Sequence, residues 1–457
     1  MRWEVGGEKP STPRLSPLTP QDVLKRKKRI MKIVHIVPGF GGTFYCGNCL
    51  RDSGVVASLK KAGHDAVTLP MYLPLTMNGY VNEDGIPVFY GAVNIYLKQF
   101  PVFRHMPKWF EKLMNSPSVL KFAAKKSGST RASGLEDLTE SMLLGADGHQ
   151  SEELQQLVDF LKYHEKPDIV HVSNALLLGL AKKVRDEVKV PVVCSLQDED
   201  VWVDAMHEDS REKMWKLLAD KSKDVDAFIA VSDYFGRLMQ KRMSIPREKL
   251  HVLHVGVRPE TYAYSKPAGN PQAIGYVSRI CEENGFEILV DAFVLLKQNP
   301  AFSTLKLRAT GGMTGDDTKF INKQISKLKQ NNVYSDFEIQ PGFTQPELQD
   351  FFKSVSVLSV PVLKGEAFGL YQVEALASGI PLVQPELGAF PEIISISGGG
   401  ITYKPNTAEA LAEKLAEVLS DQKKLEAMSL SGRKAVENHF DCGVLSVKMV
   451  DIYKTLL

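Results

Sequence analysis

The sequence predicts an α/β protein of two Rossmann-like domains, and three observations carry that reading. At 457 residues the chain suits two or three domains. Near its start, the run Lys32–Val37, a glycine-rich turn, an apolar-periodic segment over about 48–61 and the run 66–69 spell a β-α-β unit. Far downstream, the alternating Ser and Val of 354–360 run into Pro361-Val362-Leu363. After Gly369, Leu370, Val373, Leu376 and Ala377 recur at helical spacing, and a further apolar run follows at 380–383. A strand–loop–helix–strand unit is the repeat of a parallel sheet, and each half of the chain carries one.

In chain order, residues 1–30 are rich in Pro, Ser, Thr and Lys and end in Leu24-Lys25-Arg26-Lys27-Lys28-Arg29-Ile30. They lack the apolar core of a secretory signal and read as a flexible basic tail. After the first strand comes Pro38-Gly39-Phe40-Gly41-Gly42-Thr43. Its glycines run G-x-G-G and no acid ends the second strand, so this is not the dinucleotide fingerprint of an NAD enzyme. Cys46-Gly47-Asn48-Cys49 enters the first helix. C-x-x-C suits a redox couple or half a metal site, but no second Cys pair completes a four-Cys zinc site, and packing cysteines are the plainer reading.

Residues 81–150 exceed a minimal Rossmann domain. Within them, 96–126 interleave Phe100, Phe103, Trp109, Phe110, Leu113 and Phe122 with seven Lys or Arg and one acid, Glu111. That pattern suits a membrane surface or an anionic acceptor; the bland alternative is a helical subdomain with a solvated basic face. Residues 152–163 read as a helix. Strands follow at 169–172, with Asn174 just past the end, and at 190–196, with Gln197-Asp198-Glu199-Asp200 after it. Residues 227–232 and 251–255 are further strands, and the Pro- and Gly-containing stretch 264–271 reads as the interdomain linker. The second half opens with a strand at 273–278 and then Arg279. Strands at 305–309 and 337–340 lead to Gly311-Gly312 and Gly342-Phe343-Thr344, and Pro346 opens a helix. Helices fill 407–438 and about 444–457.

Composition narrows the function classes. The formal charge is +2, which gives no bulk argument for nucleic acid as a partner, and 44% hydrophobic residues suit a globular core. No uninterrupted apolar run approaches the ~18 residues of a membrane helix. Five cysteines in a long chain argue for a reducing compartment, so a cytoplasmic location is expected.

The chemistry concentrates in Gly365-Glu366-Ala367-Phe368-Gly369-Leu370 and the helix after it. Glu366 sits in a loop at the carboxyl end of a strand, where ligands bind in open α/β sheets. The helix start at Phe368-Gly369-Leu370 suits a phosphate. Glu374 lies on or beside the apolar stripe of its helix, where a carboxylate needs hydrogen-bond donors. Ser378-Gly379 stops the helix, with Gly where a left-handed cap is cheapest. One segment thus offers a carboxylate, a phosphate cradle and a second carboxylate, matching the sugar, diphosphate and ribose of a nucleotide sugar.

This stretch resembles the E-x7-E signature of the retaining nucleotide-sugar glycosyltransferases of the GT-B fold, glycosyltransferase family 4 in particular. The resemblance spans about residues 31–457. It includes the glycine-rich first loop, the strand at 169–172, Gly256-Val257-Arg258 before the linker, and Gly388-Ala389-Phe390-Pro391-Glu392. It implies two Rossmann-like domains facing across a cleft. The expected domains are an acceptor-side domain at 31–262, a nucleotide-sugar-binding domain at 263–430 and a helix at 431–457 crossing back to the first.

By the same resemblance, Glu366 touches donor-sugar hydroxyls, Glu374 holds the ribose, and Arg279 neutralises the departing diphosphate. Gly41, Gly42, Gly342, Phe343, Ala367, Phe368, Gly369 and Leu370 line the donor. Asn284 stands where the family has a Lys, with Lys364 a candidate substitute. Gln197 stands where many members have a His; Asn174 and Gln197 are the acceptor-side candidates, and Asp198 joins Glu366 and Arg279 as catalytic. No cofactor and no metal are expected, the nucleotide-diphosphate sugar being a co-substrate. The acceptor would be a saccharide, a lipid-linked saccharide or a small molecule, with peripheral contact to an anionic membrane at its inner face. The departures at Gln197 and Asn284 feed one rival, a degenerate family member acting as sugar-nucleotide sensor or scaffold. A second rival is another GT-B chemistry, a phosphorylase or epimerase, though no second basic glycine loop offers a further phosphate pocket.

Overall fold

The computed structural model describes residues 30–39, 45, 47–72, 134–269 and 271–457, together with the backbone of 76–77 and 80–81. Residues 1–29 of the basic tail, the basic-aromatic stretch 96–126, Gly41, Gly42 and Cys46 lie outside the described residues.

Two six-stranded sheets, parallel throughout, form the framework. The first holds β1 (Lys32–Val37), β2 (Asp65–Pro70), β5 (Ile169–Val172), β6 (Val192–Leu196), β7 (Ala227–Ala230) and β8 (Leu250–Val252) in the order β2-β1-β5-β6-β7-β8. A two-residue hairpin, β3 (Thr76–Met77) with β4 (Tyr80–Val81), stands apart. The second sheet holds β9 (Ala273–Val277), β10 (Lys306–Thr310), β11 (Phe337–Ile339), β12 (Val357–Leu358), β13 (Leu382–Pro385) and β14 (Gly400–Tyr403) in the order β11-β10-β9-β12-β13-β14. Every residue of β5, β6, β7, β9 and β13 is buried. That is why these strands read as continuous apolar runs rather than alternating ones.

The register is set early: Lys32 pairs with Asp65 on one side of β1, and Ile33 with Ile169 on the other. The strand expected over 354–360 pairs only at Val357–Leu358. Beyond it, the Val360 N–H turns to the side chain of Gln384, and Pro361 has no N–H to give.

Both sheets reverse their strand order beside their first strand, between β1 and β5 and between β9 and β12. In open α/β sheets ligands bind at such switch points, outside the carboxyl ends of the strands. The loops after β1, β5, β9 and β12 are therefore the ones to inspect.

Among the described helices, α1 (Gly47–Lys61), α2 (Glu199–Asp204), α3 (Asp233–Met243), α4 (Leu370–Ala377) and α5 (Phe390–Ser397) bring residues to those loops. Then α6 (Gln422–His439) and α7 (Cys442–Leu456) finish the chain. On α7, Leu445, Met449, Val450 and Tyr453 share one buried cluster with Ile33, Val56, Leu59 and Ile169 of the first domain. The chain reaches it beside the outward connection: the Val257 N–H donates to Phe440 O, and the Cys442 N–H donates to Val257 O. Among the described residues no helix is long and apolar enough to cross a membrane.

Candidate functional site

The site is best built from the second sheet outward. After β12 the chain crosses the carboxyl edge and turns into α4 at Gly369, whose φ is +80°. A Cβ at Gly369 would lie 2.7 Å from Glu366 Oε2, so glycine is needed for space as well as conformation. Tyr371 Oη donates to that same oxygen at 3.0 Å.

All eight residues of α4 are buried, and Glu374 is only 3% exposed. Two phenols meet the need for donors: Tyr45 Oη bonds Oε2 at 2.5 Å, and Tyr262 Oη bonds Oε1 at 2.7 Å. Burial pushes the Glu374 carboxyl up to about 7 against the pull of both phenols. It pushes Glu366 up to about 8, with the charge of Asp198 adding to the rise.

The start of α4 has no side-chain cap and no acid in its first turn. The start of α1 meets it, since a Cβ on Gly47 would lie 3.3 Å from Leu370 Cβ. Two positive helix ends therefore converge at one place, an arrangement that favours an anion. Asn48, the next residue of α1, donates from Nδ2 to Asp198 Oδ2 at 2.9 Å. The Ala367 N–H donates to Asp198 as well, while Ala367 O accepts from Ser232 Oγ at 2.6 Å. Asp198 has φ +59°, an uncommon conformation for a non-glycine residue, and burial pushes its carboxyl up. The loop before α4, and α4 itself, are thus gripped from the first domain at Ala367 and Glu374. A third grip lies at α5, where Glu392 accepts the N–H groups of Asp233 and Tyr234 at the start of α3 and pairs with His254 Nε2 at 2.7 Å.

Arg279 follows β9. Its Nε and Nη2 hold Asp317 at 2.9 and 2.7 Å, and Nη2 also reaches Thr314 Oγ1 at 3.2 Å. This fixes the plane of a cation whose pKa the Asp317 bond raises further. Asn284 is spent on its own turn, donating to Ser278 Oγ and Arg279 O. The following Gly285, at φ +71°, is approached so closely by Pro361 O that no Cβ fits. Lys364 is exposed on the Glu366 loop. Gly342 O accepts from Thr310 Oγ1, Phe343 packs against the core, and Thr344 with Glu347 forms the capping box that starts the next helix. Phe368 is buried, with its ring centroid 6.1 Å from that of His254.

On the other face, Asn174 Oδ1 accepts the Leu176 N–H and caps its own turn. Gln197 is buried, accepting from Arg51 Nη1 at 2.7 Å and donating to Ser173 O at 2.7 Å. Both side-chain amides are engaged within the protein. Glu199 accepts the N–H groups of Ala175 and Gln197, one on each oxygen, and so ties the loops after β5 and β6 together. His171, at the centre of β5, bonds Tyr453 Oη at 2.7 Å and Ser195 Oγ at 2.8 Å. Cys49 is disulfide-bonded, whereas Cys194, Cys281 and Cys442 are free and buried. Among the described residues no group of His, Cys, Asp and Glu is placed to hold a metal ion.

Sequence reasoning did not single out Tyr45, Asn48, Arg51, Tyr262 or Asp317. For Tyr45 the only signal was an aromatic between the glycine-rich turn and the first helix. Tyr262 and Asp317 lie in unremarkable context, and their partners are remote in the chain.

Two family models match the chain: one described as glycosyl transferases group 1 over residues 258–435, the other as Glycosyltransferase Family 4 over residues 148–261. Among curated relatives, a putative colanic acid biosynthesis glycosyltransferase, WcaL of Escherichia coli K12, is 25% identical over 240 residues. The match takes in 50% of this chain but only 57% of that protein. The amylovoran biosynthesis glycosyltransferase AmsK of Erwinia amylovora is 25% identical over 334 residues, 69% of this chain and 78% of the other. Among solved structures, sucrose-phosphate synthase from Thermosynechococcus elongatus superimposes with a TM-score of 0.66 at 16% identity, over 93% of this chain and 99% of that one. Anabaena HepE in complex with UDP-glucose does so with a TM-score of 0.63 at 15% identity, over 93% and 100%.

Proposed function

Because the chain belongs to the group 1, family 4-type glycosyl transferases and has their two-domain GT-B fold, we propose that it transfers a sugar from a nucleotide-diphosphate donor to an acceptor. The configuration at the anomeric carbon is retained. The observation that carries this reading is the Glu366–Glu374 segment at the switch point of the second sheet, with the starts of α1 and α4 converging between the two carboxyls. Each part of the donor has a partner of matching chemistry there. Glu374 takes the ribose hydroxyls, the helix ends and Arg279 take the diphosphate, and Glu366 takes hydroxyls of the sugar. Bound UDP-glucose in the structurally similar HepE supports this class of donor.

In the reaction, the bond from the anomeric carbon to the diphosphate oxygen breaks and a bond to the acceptor oxygen forms on the same face. The acceptor proton passes to the departing phosphate oxygen. Charge developing on the diphosphate is met by Arg279 and the two helix ends, with no metal ion required. Asp198, held between Asn48 and Ala367, stands on the acceptor side of Glu366. The names of the relatives favour a polysaccharide or cell-envelope glycan as product, made on the cytoplasmic side of a membrane from a saccharide or lipid-linked acceptor.

The test is thermal stability against UDP, GDP, ADP and their sugars, in wild type and Glu374→Ala. A ligand at a hundred times its Kd adds about 2.7 kcal/mol. A shift with one nucleotide, lost in Glu374→Ala, is the expected result. No shift with any nucleotide sinks the reading. Turnover of that donor with EDTA present, and the anomeric proton coupling of the product, then check metal independence and retention.

A further inference from the structure

Glu374 is already doubly bonded, and the two donors have the chemistry of its proposed ligand. A carboxylate recognises a vicinal diol by accepting one hydroxyl on each oxygen. Here two phenol hydroxyls stand in those two places, Tyr45 on Oε2 and Tyr262 on Oε1. With Glu374 3% exposed, neither oxygen is open to a newcomer.

The two tyrosines differ in how they are held. Tyr262 lies at the domain junction on the same side as its partner. Its N–H donates to Pro259 O, and its carbonyl accepts from Arg433 Nη1 of α6 at 2.7 Å. Tyr45 comes from the first domain, ahead of α1, and reaches across to the second. Its N–H donates to Gly311 O at 2.9 Å and its hydroxyl to Glu374. Both of those polar contacts cross the cleft.

We propose that Tyr45 is an affinity-determining residue of the donor site. Its hydroxyl occupies the Glu374 oxygen that one ribose hydroxyl requires, and a nucleotide enters by displacing it, while Tyr262 stays and orients the carboxylate. This rests on the donor reading given above. The exchange trades one hydroxyl for another on the same oxygen, so part of the nucleotide's binding free energy goes into breaking the bond across the cleft. Removing the Tyr45 hydroxyl alone returns that part.

The experiment is isothermal titration of wild type, Tyr45→Phe and Tyr262→Phe with UDP, GDP and ADP, repeated with the 2′-deoxy and 3′-deoxy form of whichever binds. In Tyr45→Phe the Kd of the ribonucleotide falls by about tenfold, the size expected for a hydrogen bond to a carboxylate. The gain disappears with the deoxynucleotide that lacks the competing hydroxyl. A general loosening of the fold would not distinguish the nucleotides in that way. Tyr262→Phe binds more weakly than wild type. An unchanged or raised Kd in Tyr45→Phe overturns the proposal, as does a gain retained in full by both deoxynucleotides. Failure of the donor reading looks different. Either wild type and both variants bind no nucleotide, or binding is indifferent to Glu374→Ala; in both cases the proposal falls with it.

Discussion

At the scale of single residues, the site gathers carboxyls whose titration the fold shifts, from the buried Glu374 to the half-buried Glu366. Glu366, pushed up to about 8, compares with an unfolded-chain value of about 4.3. A carboxyl raised on folding stabilises the fold fully below its unfolded pKa. That contribution is lost as pH rises through the folded one, because the unfolded chain gives up the proton first. Glu366→Gln removes this liability. The melting temperature of the variant relative to wild type is therefore expected to climb between pH 5 and pH 8, read from paired thermal melts in matched buffers. A flat difference across that window would show the carboxyl to be ordinary. Glu374, pushed up to about 7, has the same sign over a window ending lower. Asp317 has the opposite sign: burial works to raise it, but the Arg279 and Thr314 bonds hold it below the usual carboxylate range. Its share of stability is lost only at low pH, as pH falls through that lowered value.

At the scale of elements, the site depends on helix starts, and one side chain serves two of them. Ser232 caps α3 by accepting the Phe235 N–H at 3.1 Å, and the same Oγ donates to Ala367 O in the loop before α4. Ser232→Ala is expected to cost about 1–2 kcal/mol, a lost cap plus an unmet carbonyl, and to weaken nucleotide binding as well. Urea denaturation and calorimetry read the two effects. An unaffected Kd would mean that the loop does not rely on this anchor.

The elements were largely legible in the sequence. The apolar runs of β5, β6, β9 and β13 announced strands buried on both faces, and Gly369 with Gly379 bracketed α4. The glutamates were legible because strand, loop and helix lie next to one another in the chain. Their partners were not. Tyr45 and Glu374 stand 329 positions apart, and no local pattern of spacing or propensity encodes a contact of that range. The partner of Gln197 was hidden in the same way. Its place after β6 pointed at the cleft, yet a buried Arg51 claims its amide oxygen, and nothing near position 197 in the sequence signals that.

At the scale of the whole molecule, α7 makes the first domain depend on the last residues of the chain. Tyr453 is fully buried and bonds His171 in the middle of the first sheet. Tyr453→Phe removes that bond and leaves a buried imidazole nitrogen unmet, at an expected cost of about 1–3 kcal/mol. Urea unfolding should then show an earlier midpoint with an unchanged slope, because α7 and the first sheet unfold together. A separate early transition would show α7 to be an independent appendage.

The pairing of Val257 with Phe440 and Cys442 lashes the two interdomain crossings side by side. Two crossings at one spot act as a pivot, and the arc that a group sweeps grows with its distance from the axis. Tyr262 follows Val257 closely along the chain and touches Glu374 directly. A swing of one domain about those crossings would therefore displace the Glu374 end of the interface least.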